Sequence, residues 1–316
     1  MELIGWAHFR APAMGQRYHH FMLVIGSRGS PLALWQAYHV QALLLARGFE
    51  SRIEVIRTTG DRMQTASISA IGTKGLFTQE IEDALLQGHV DLAVHSLKDL
   101  TTELPAGLCL AASPEREDAR DAVVGELKQG ATVGTSSVRR AAQLRGVRPD
   151  LRILPIRGNV DTRLRKLDAG EFDAIVLAAA GLKRLGLADR ITELLSYEVM
   201  CPAPGQGALG IETALHGVGL EAALTLNHLT TWRAITAERA VLESLGGGCQ
   251  LPAGAIATID GDRIHLAALV AAPDGGECVR ECGEGTDARE LGLTVGRKLL
   301  AAGGRRILDE VYADSR

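Results

Sequence analysis

Basic residues crowd one stretch of the chain: Arg139, Arg140, Arg145, Arg148, Arg152, Arg157, Arg163, Arg165 and Lys166, opposed only by Asp150 and Asp161. Arginine presents a planar fork that grips a carboxylate or phosphate through two parallel hydrogen bonds. In "GTSSVRR" (134–140), Ser136 and Ser137 stand where a strand gives way to a helix, and a helix N-terminus is itself an anion site. Arg139, Arg140 and Arg157 fall at such junctions and read as anion binders. Arg145, Arg148, Arg152 and Arg165 read as a solvated helix face. The ligand this implies carries several acidic groups.

Two further stretches bear reactive side chains. "HSLKDL" (95–100) places Lys98 beside Asp99. The pair is either a surface ion pair or, in a cleft, a carboxylate that holds a positive nitrogen and moves a proton. "LESLGGGCQLPAGA" (242–255) puts Cys249 directly behind Gly246, Gly247 and Gly248. This is either a small thiol buried in a tight turn or a thiol cleared of side chains so that something bulky can reach it. A Cys–His nucleophile also stays open, because such partners lie far apart in sequence. "GTKG" lacks the spacing of a phosphate loop, and no cysteine or histidine spacing suggests a metal site.

The elements that must position these residues alternate. "FMLVIGS" reads as a strand, and Ser30 with Pro31 supplies the cap and first turn of a helix running to Gly48. "RIEVIRT" is a strand, "GLFTQEIEDALLQG" a helix and "VDLAVHS" a strand. That alternation predicts a mostly parallel sheet with helices on its faces. A second series follows: "ATVGT", a helix from Ser136, "LRILPIRG", a helix through "DTRLRKLDAG", then "DAIVLAA". The charged "SPEREDARD" and the Pro/Gly-rich "CPAPGQGALGIE" link the two series. A helix over 228–245 then ends at the triple glycine, followed by three strands and a helix. Residues 61–73 have no regular period and read as a lid loop, with Lys74 and Phe77 at the following helix start.

Fold class is therefore α/β in three domains, the first two forming lobes around a cleft: 22–116 with 203–224, 117–202 and 225–316. Arg28, the segment from His95 to Asp99, and the segment from Thr135 to Arg140 fall at strand carboxyl ends, where open α/β sheets bind ligands. A net charge of −4 and 4% aromatics argue against a nucleic-acid binder. Cys109, Cys201, Cys249, Cys278 and Cys282 form no secreted disulfide framework; Cys278 and Cys282 read as ordinary packed thiols, and the compartment as a reducing cytoplasm. Residues 1–21 carry no secretory signal and read as a disordered extension. No apolar run is long enough to span a membrane. A monomer is expected.

From about Met22 onward the chain resembles the porphobilinogen deaminase (hydroxymethylbilane synthase) family. The blocks that carry the likeness include "SRGSPLALWQA", "GTKGLFTQEIEDALL", "DLAVHSLKDL", "EREDARDA", "GTSSVRRAAQL", "IRGNVDTRLRKL", "AGLKRLG", "PAPGQGALGIE", "TAERA" and "GGGCQLPAGA". The resemblance implies two lobes like those of a periplasmic binding protein, and a third, small α/β domain with an open sheet. It implies a dipyrromethane cofactor joined to Cys249 by a thioether. It implies head-to-tail condensation of porphobilinogen on that primer, with loss of ammonia, and release of a linear tetrapyrrole. By the same match, Asp99 is the catalytic carboxylate, and Lys98, Asp99, Ser137, Arg139 and Arg140 hold the cofactor. Arg28, Ser30, Gln36, Lys74, Phe77, Arg157, Arg163 and Arg184 would bind substrate. Each substrate carries an acetate and a propionate, which is what an arginine-lined cleft can hold.

The chain departs from the family pattern at Gly29, Ala70, Thr101 and Asp161. Thr101 replaces a proline, so that turn is expected to be less rigid, and Asp161 is expected to weaken the charge of Arg157 and Arg163. One rival reading is a non-catalytic, two-lobed polycarboxylate-binding protein. The other is a cysteine hydrolase, whose nearest histidines in sequence are His228 and His265.

Overall fold

A computed structural model describes residues 22–59, 78–247 and 251–314. The N-terminal stretch, the lid loop with Ala70, Lys74 and Phe77, and Cys249 lie outside the described residues.

Strand β1 (Leu23–Ser27) leads into α1 (Pro31–Ala46), whose N-cap Ser30 accepts from the Ala33 amide at 3.3 Å, with Pro31 in the first turn. Next come β2 (Ser51–Val55), α2 (Gln79–Leu86), β3 (Leu92–Ser96) and β4 (Leu108–Ala112). A second series holds β5 (Asp121–Gly125), β6 (Thr132–Gly134), α3 (Val138–Val147), β7 (Arg152–Leu154), α4 (Val160–Asp168), β8 (Ala174–Ala178), α5 (Ala179–Arg184) and β9 (Glu193–Leu194). The chain then returns through β10 (Leu209–Ala214) and α6 (Val218–Leu224).

The two five-stranded sheets are built alike. Their orders are β2-β1-β3-β10-β4 and β7-β6-β8-β5-β9. In each, three parallel strands meet an antiparallel strand contributed by a crossing segment: β10 pairs antiparallel with β3 and β4, and β5 with β8 and β9. The sheets are thus more mixed than strand–helix alternation predicts. The end of the Pro/Gly-rich link is not only a connection: Leu209–Ala214 is a buried central strand of the first sheet.

The crossings, residues 113–120 and 200–208, run side by side without helix or strand. Gly207 has φ +84°, and a Cβ there would lie 2.3 Å from the Glu117 carbonyl oxygen. Only glycine lets these two segments touch.

The third unit is an antiparallel sheet of β11 (Ala253–Asp260), β12 (Arg263–Ala271) and β13 (Cys278–Gly285). Helices α7 (Leu229–Ser244), α8 (Ala288–Leu299) and α9 (Arg305–Asp314) accompany it. Ala237, Val241, Leu266, Val295 and Leu299 form its core. Ile256 and Leu269 pack with Ala142 and Cys201 of the second unit, so the domains share a seam.

Cys278 and Cys282 are not packed. On edge strand β13 the period of two exposes residues 278, 280, 282 and 284, so both thiols face solvent. Among the described residues no helix is long and apolar enough to cross a membrane.

Candidate active site

The strand ends converge as the pattern suggested. After β3 a short 3-10 turn, Leu97–Asp99, carries the reactive pair. Leu97 is the anchor: it is buried with Leu100, Ala208 and Ile235, in space left by Gly205 and Gly210. With Leu97 pointing inward, Asp99 is exposed and Lys98 half-buried. The Lys98 Nζ donates to Gln206 Oε1 at 3.4 Å. Burial, then the charge of Arg140, pulls the Lys98 ammonium down to about 8, although Asp99 and Asp121 act against them.

After β6, Ser137 caps α3 by accepting from the Arg140 amide at 3.4 Å. This cap sets Arg139 and Arg140 in the first turn, and both are buried. Between them lies Asp121, fully buried. Arg139 Nη1 donates to Asp121 Oδ2 at 2.8 Å and to the Cys201 carbonyl at 2.6 Å. Arg140 Nε donates to Asp121 Oδ1 at 2.9 Å. Burial pushes the Asp121 carboxyl up, but the two guanidiniums outweigh it and hold the group well below the usual carboxylate range. Gln206 completes the knot, donating to Asp121 Oδ1 at 3.0 Å while its carbonyl oxygen faces Lys98 and Arg140.

Arg139 therefore spends its side chain on Asp121 and the backbone of a crossing. Arg140 is spent in the same way, on Asp121, Gln206 and the Val176 carbonyl at 3.1 Å. Arg157 is exposed beyond β7, and Ser136 ties that region to β6 by donating to the Ile156 carbonyl at 2.8 Å.

Arg163 and Arg184 stand differently. Arg163, half-buried on α4, donates Nε to the Gly158 carbonyl at 2.8 Å. Arg184, at the end of α5, donates to the Gly207 carbonyl at 2.7 Å and lies over the Trp35 ring, 5.7 Å from its centroid. Burial brings each down to about 10. Among the described residues, no carboxylate forms an ion pair with either. Asp99 acts on Arg163 and Glu117 on Arg184 without a direct ion pair, so both guanidiniums keep donors for an acidic ligand.

On the first lobe, Arg28, Ser30, Gln36, Ser96 and Asp99 line one cavity of about 90 Å³, together with Thr78 and His95. Gln36 is buried and donates to Ser96 Oγ at 2.8 Å, fixing the cavity floor. The turn at Thr101 is secured without proline, because Arg239 donates to the Leu100 and Thr101 carbonyls at 3.1 and 2.7 Å. Asp161 sits in the first turn of α4, where a carboxylate is favourable, and the charges that act on Arg163 are those of Arg140 and Asp99. His228 and His265 bond to Thr231 and Glu284. Among the described residues no group of His, Cys, Asp and Glu is arranged to hold a metal.

Comparison with known families decides the assignment. Residues 23–217 match the family described as "Porphobilinogen deaminase, dipyromethane cofactor binding domain", and residues 232–301 the one described as "Porphobilinogen deaminase, C-terminal domain". The chain belongs to the porphobilinogen deaminase family. It is 48% identical over 301 residues to the porphobilinogen deaminase of Trichlorobacter lovleyi, covering 92% of this chain and 96% of that one. It is 50% identical to that of Chromobacterium violaceum over 306 residues, covering 93% and 99%. Among solved structures it is similar to a periplasmic substrate-binding protein of an ABC transporter from Coxiella burnetii. That similarity has a TM-score of 0.41 at 13% identity, over 65% of this chain and 91% of that one.

The match over residues 23–217 takes in the arginines of the second sheet as well as Lys98 and Asp99. Asp121, Gln206, Arg116 and Glu238 escaped functional notice in the sequence, although they support the whole site. A signal existed for Asp121: a charged residue opening the apolar run "DAVVG" must be paired if that strand is central.

Proposed function

We propose that this protein condenses porphobilinogen head to tail, releasing ammonia and the linear tetrapyrrole hydroxymethylbilane, on a dipyrromethane held by Cys249 through a thioether. The observation that carries the reading is the pair of desolvated guanidiniums, Arg163 and Arg184, neither of them in an ion pair with a carboxylate among the described residues. Pyrroles bearing acetate and propionate groups supply the missing charge, and they fit a cleft lined by planar guanidinium forks.

When bound, dipyrromethane supplies the terminal pyrrole carbon from which the chain grows. The protein's own groups do the rest. Arg163 and Arg184, with Arg28 and Arg157 at the cleft edges, take the ring carboxylates. Arg140, Lys98 and Ser137 hold the primer end, and Arg139 fixes Arg140 through Asp121. Ser30 and Gln36 shape the incoming substrate's cavity, and Lys74 and Phe77, outside the described residues, join them in binding substrate. Asp99, at the turn beside that cavity, faces the pyrrole nitrogens and stabilises the positive charge that develops as ammonia leaves.

We divide the chain into 22–116 with 203–224, 117–202 and 225–316. The protein acts as a cytoplasmic monomer, with its cleft built from its own sheets. The test is to supply porphobilinogen to the purified protein. Ammonia should appear in step with substrate loss, together with linear tetrapyrrole. Saturable binding with no ammonia would instead identify a non-catalytic polycarboxylate carrier.

A further inference from the structure

Trp35 sits off the core face of α1. That face is made by Gln36, Ala37, Val40 and Leu44. Trp35 stays 36% exposed, although tryptophan is highly buried on average. Packing of the first lobe does not explain a tryptophan there.

Its neighbours do. The Arg184 guanidinium carbon lies over the indole, 5.7 Å from the ring centroid, inside the reach of about 6 Å for a cation–π contact. His39, one turn further along α1, stacks on the indole with centroids 5.1 Å apart and planes 11° from parallel. Burial, then the charge of Arg184, lowers the His39 imidazole below its ordinary value, so that ring is neutral at pH 7 and adds no second charge.

Ring and cation belong to different lobes. Trp35 and His39 are on α1, which follows β1 of the first sheet, whereas Arg184 closes α5, which follows β8 of the second. The helices meet beside them: a Cβ on Gly181 of α5 would lie 3.7 Å from Leu32 Cδ2 of α1. Arg184 is held on one side by the Gly207 carbonyl of the second crossing, at 2.7 Å, and on the other by the indole. A carboxylate in place of the indole would hold the guanidinium too, but it would neutralise the charge and fill the fork. An aromatic face attracts the charge and leaves the remaining N–H donors for a ligand.

We propose that Trp35, steadied by His39, is the positioning residue for Arg184: the indole holds the guanidinium where the two lobes meet, ready to take a pyrrole carboxylate. The proposal rests on the porphobilinogen reading above, in which Arg184 grips a ring carboxylate. Trp35 acts through Arg184 and takes no part in bond making.

Trp35→Leu keeps an apolar side chain and removes the aromatic face. Its KM for porphobilinogen should rise roughly five- to thirtyfold, the span of a partly desolvated cation–π contact. Its kcat should stay within about twofold, because Asp99 is untouched. Trp35→Phe restores a ring and should recover most of the loss. In an Arg184→Gln background Trp35→Leu should raise KM no further, whereas a purely structural role would add its cost in either background. The emission difference between wild type and Trp35→Phe separates Trp35 from Trp6 and Trp232, and it should shift as porphobilinogen binds. A wild-type KM in Trp35→Leu, or an equal further rise in the Arg184→Gln background, would overturn the proposal. So would a Trp35 emission that ignores bound porphobilinogen, which decides the matter even if Trp35→Leu fails to fold. Wild-type protein that binds porphobilinogen without releasing ammonia would sink the condensation reading alone. Dissociation constants from equilibrium dialysis would then replace KM in the same comparison.

Discussion

At the scale of single residues, the site is a set of cations whose anions are unequally provided. Arg139 and Arg140 have Asp121, while Arg163 and Arg184 form no ion pair with a carboxylate among the described residues. Arg163→Gln should therefore cost ligand binding rather than the fold. Loss of one charge-assisted hydrogen bond is worth about 1.5–3 kcal/mol, or roughly a ten- to hundredfold rise in KM. An unchanged KM would remove Arg163 from the substrate path. Asp99 is exposed, so Asp99→Ala should leave the thermal midpoint nearly unchanged. Its kcat should fall by about 10²–10³-fold or more, the usual cost of losing one electrostatic stabiliser. Turnover near wild type would exclude Asp99 from the chemistry.

At the scale of elements, caps and strand ends decide where the cations stand. Ser137 sets α3, and with it Arg139 and Arg140, against Asp121 at the start of β5. Asp121→Asn should destabilise the protein by roughly 3–5 kcal/mol, because two buried guanidiniums lose their counter-charge. Since the folded carboxyl is held below its ordinary value of about 3.9, its contribution is present above that pH and is lost as pH falls toward the folded value. Urea midpoints taken through the acid range should decline for wild type and lie flatter for Asp121→Asn. Elements with strong local signals were legible from the sequence: Ser30 and Pro31 announced α1, and the triple glycine the end of α7. Strands β4, β5, β9 and β10 were not singled out. Their partners lie far off in the chain, as β10 does from β3, so no local rhythm marks them. Cys278 and Cys282 misled because thiols are commonly buried, whereas an edge strand turns alternate residues to solvent. Arg139, Arg140 and Arg157 stood out by type and position, whereas Arg163 and Arg184 entered through the family resemblance. That Asp121 anchors Arg139 and Arg140 was not legible, since it depends on where the fold puts Asp121.

At the scale of the whole molecule, one carboxylate ties the third unit to both crossings. Glu238 on α7 is fully buried and accepts from Arg116 of the first crossing at 2.6 and 3.0 Å. It also accepts from the Gly205 amide of the second crossing at 2.7 Å and from the Ala257 amide of β11 at 2.9 Å. The crossings and the third sheet therefore share an anchor beside the cleft. Glu238→Ala should lower stability by roughly 3–5 kcal/mol, read as an earlier urea midpoint, and an unchanged midpoint would refute the anchoring role. The organisation of the molecule has its purpose if the third unit presents a covalently held, acidic pyrrole pair to the arginines of the second. The intact mass of the purified protein tests this most directly. The account predicts the polypeptide plus two pyrrole units, with the addition gone in Cys249→Ser. An active protein of bare polypeptide mass, or an addition that survives Cys249→Ser, would contradict it.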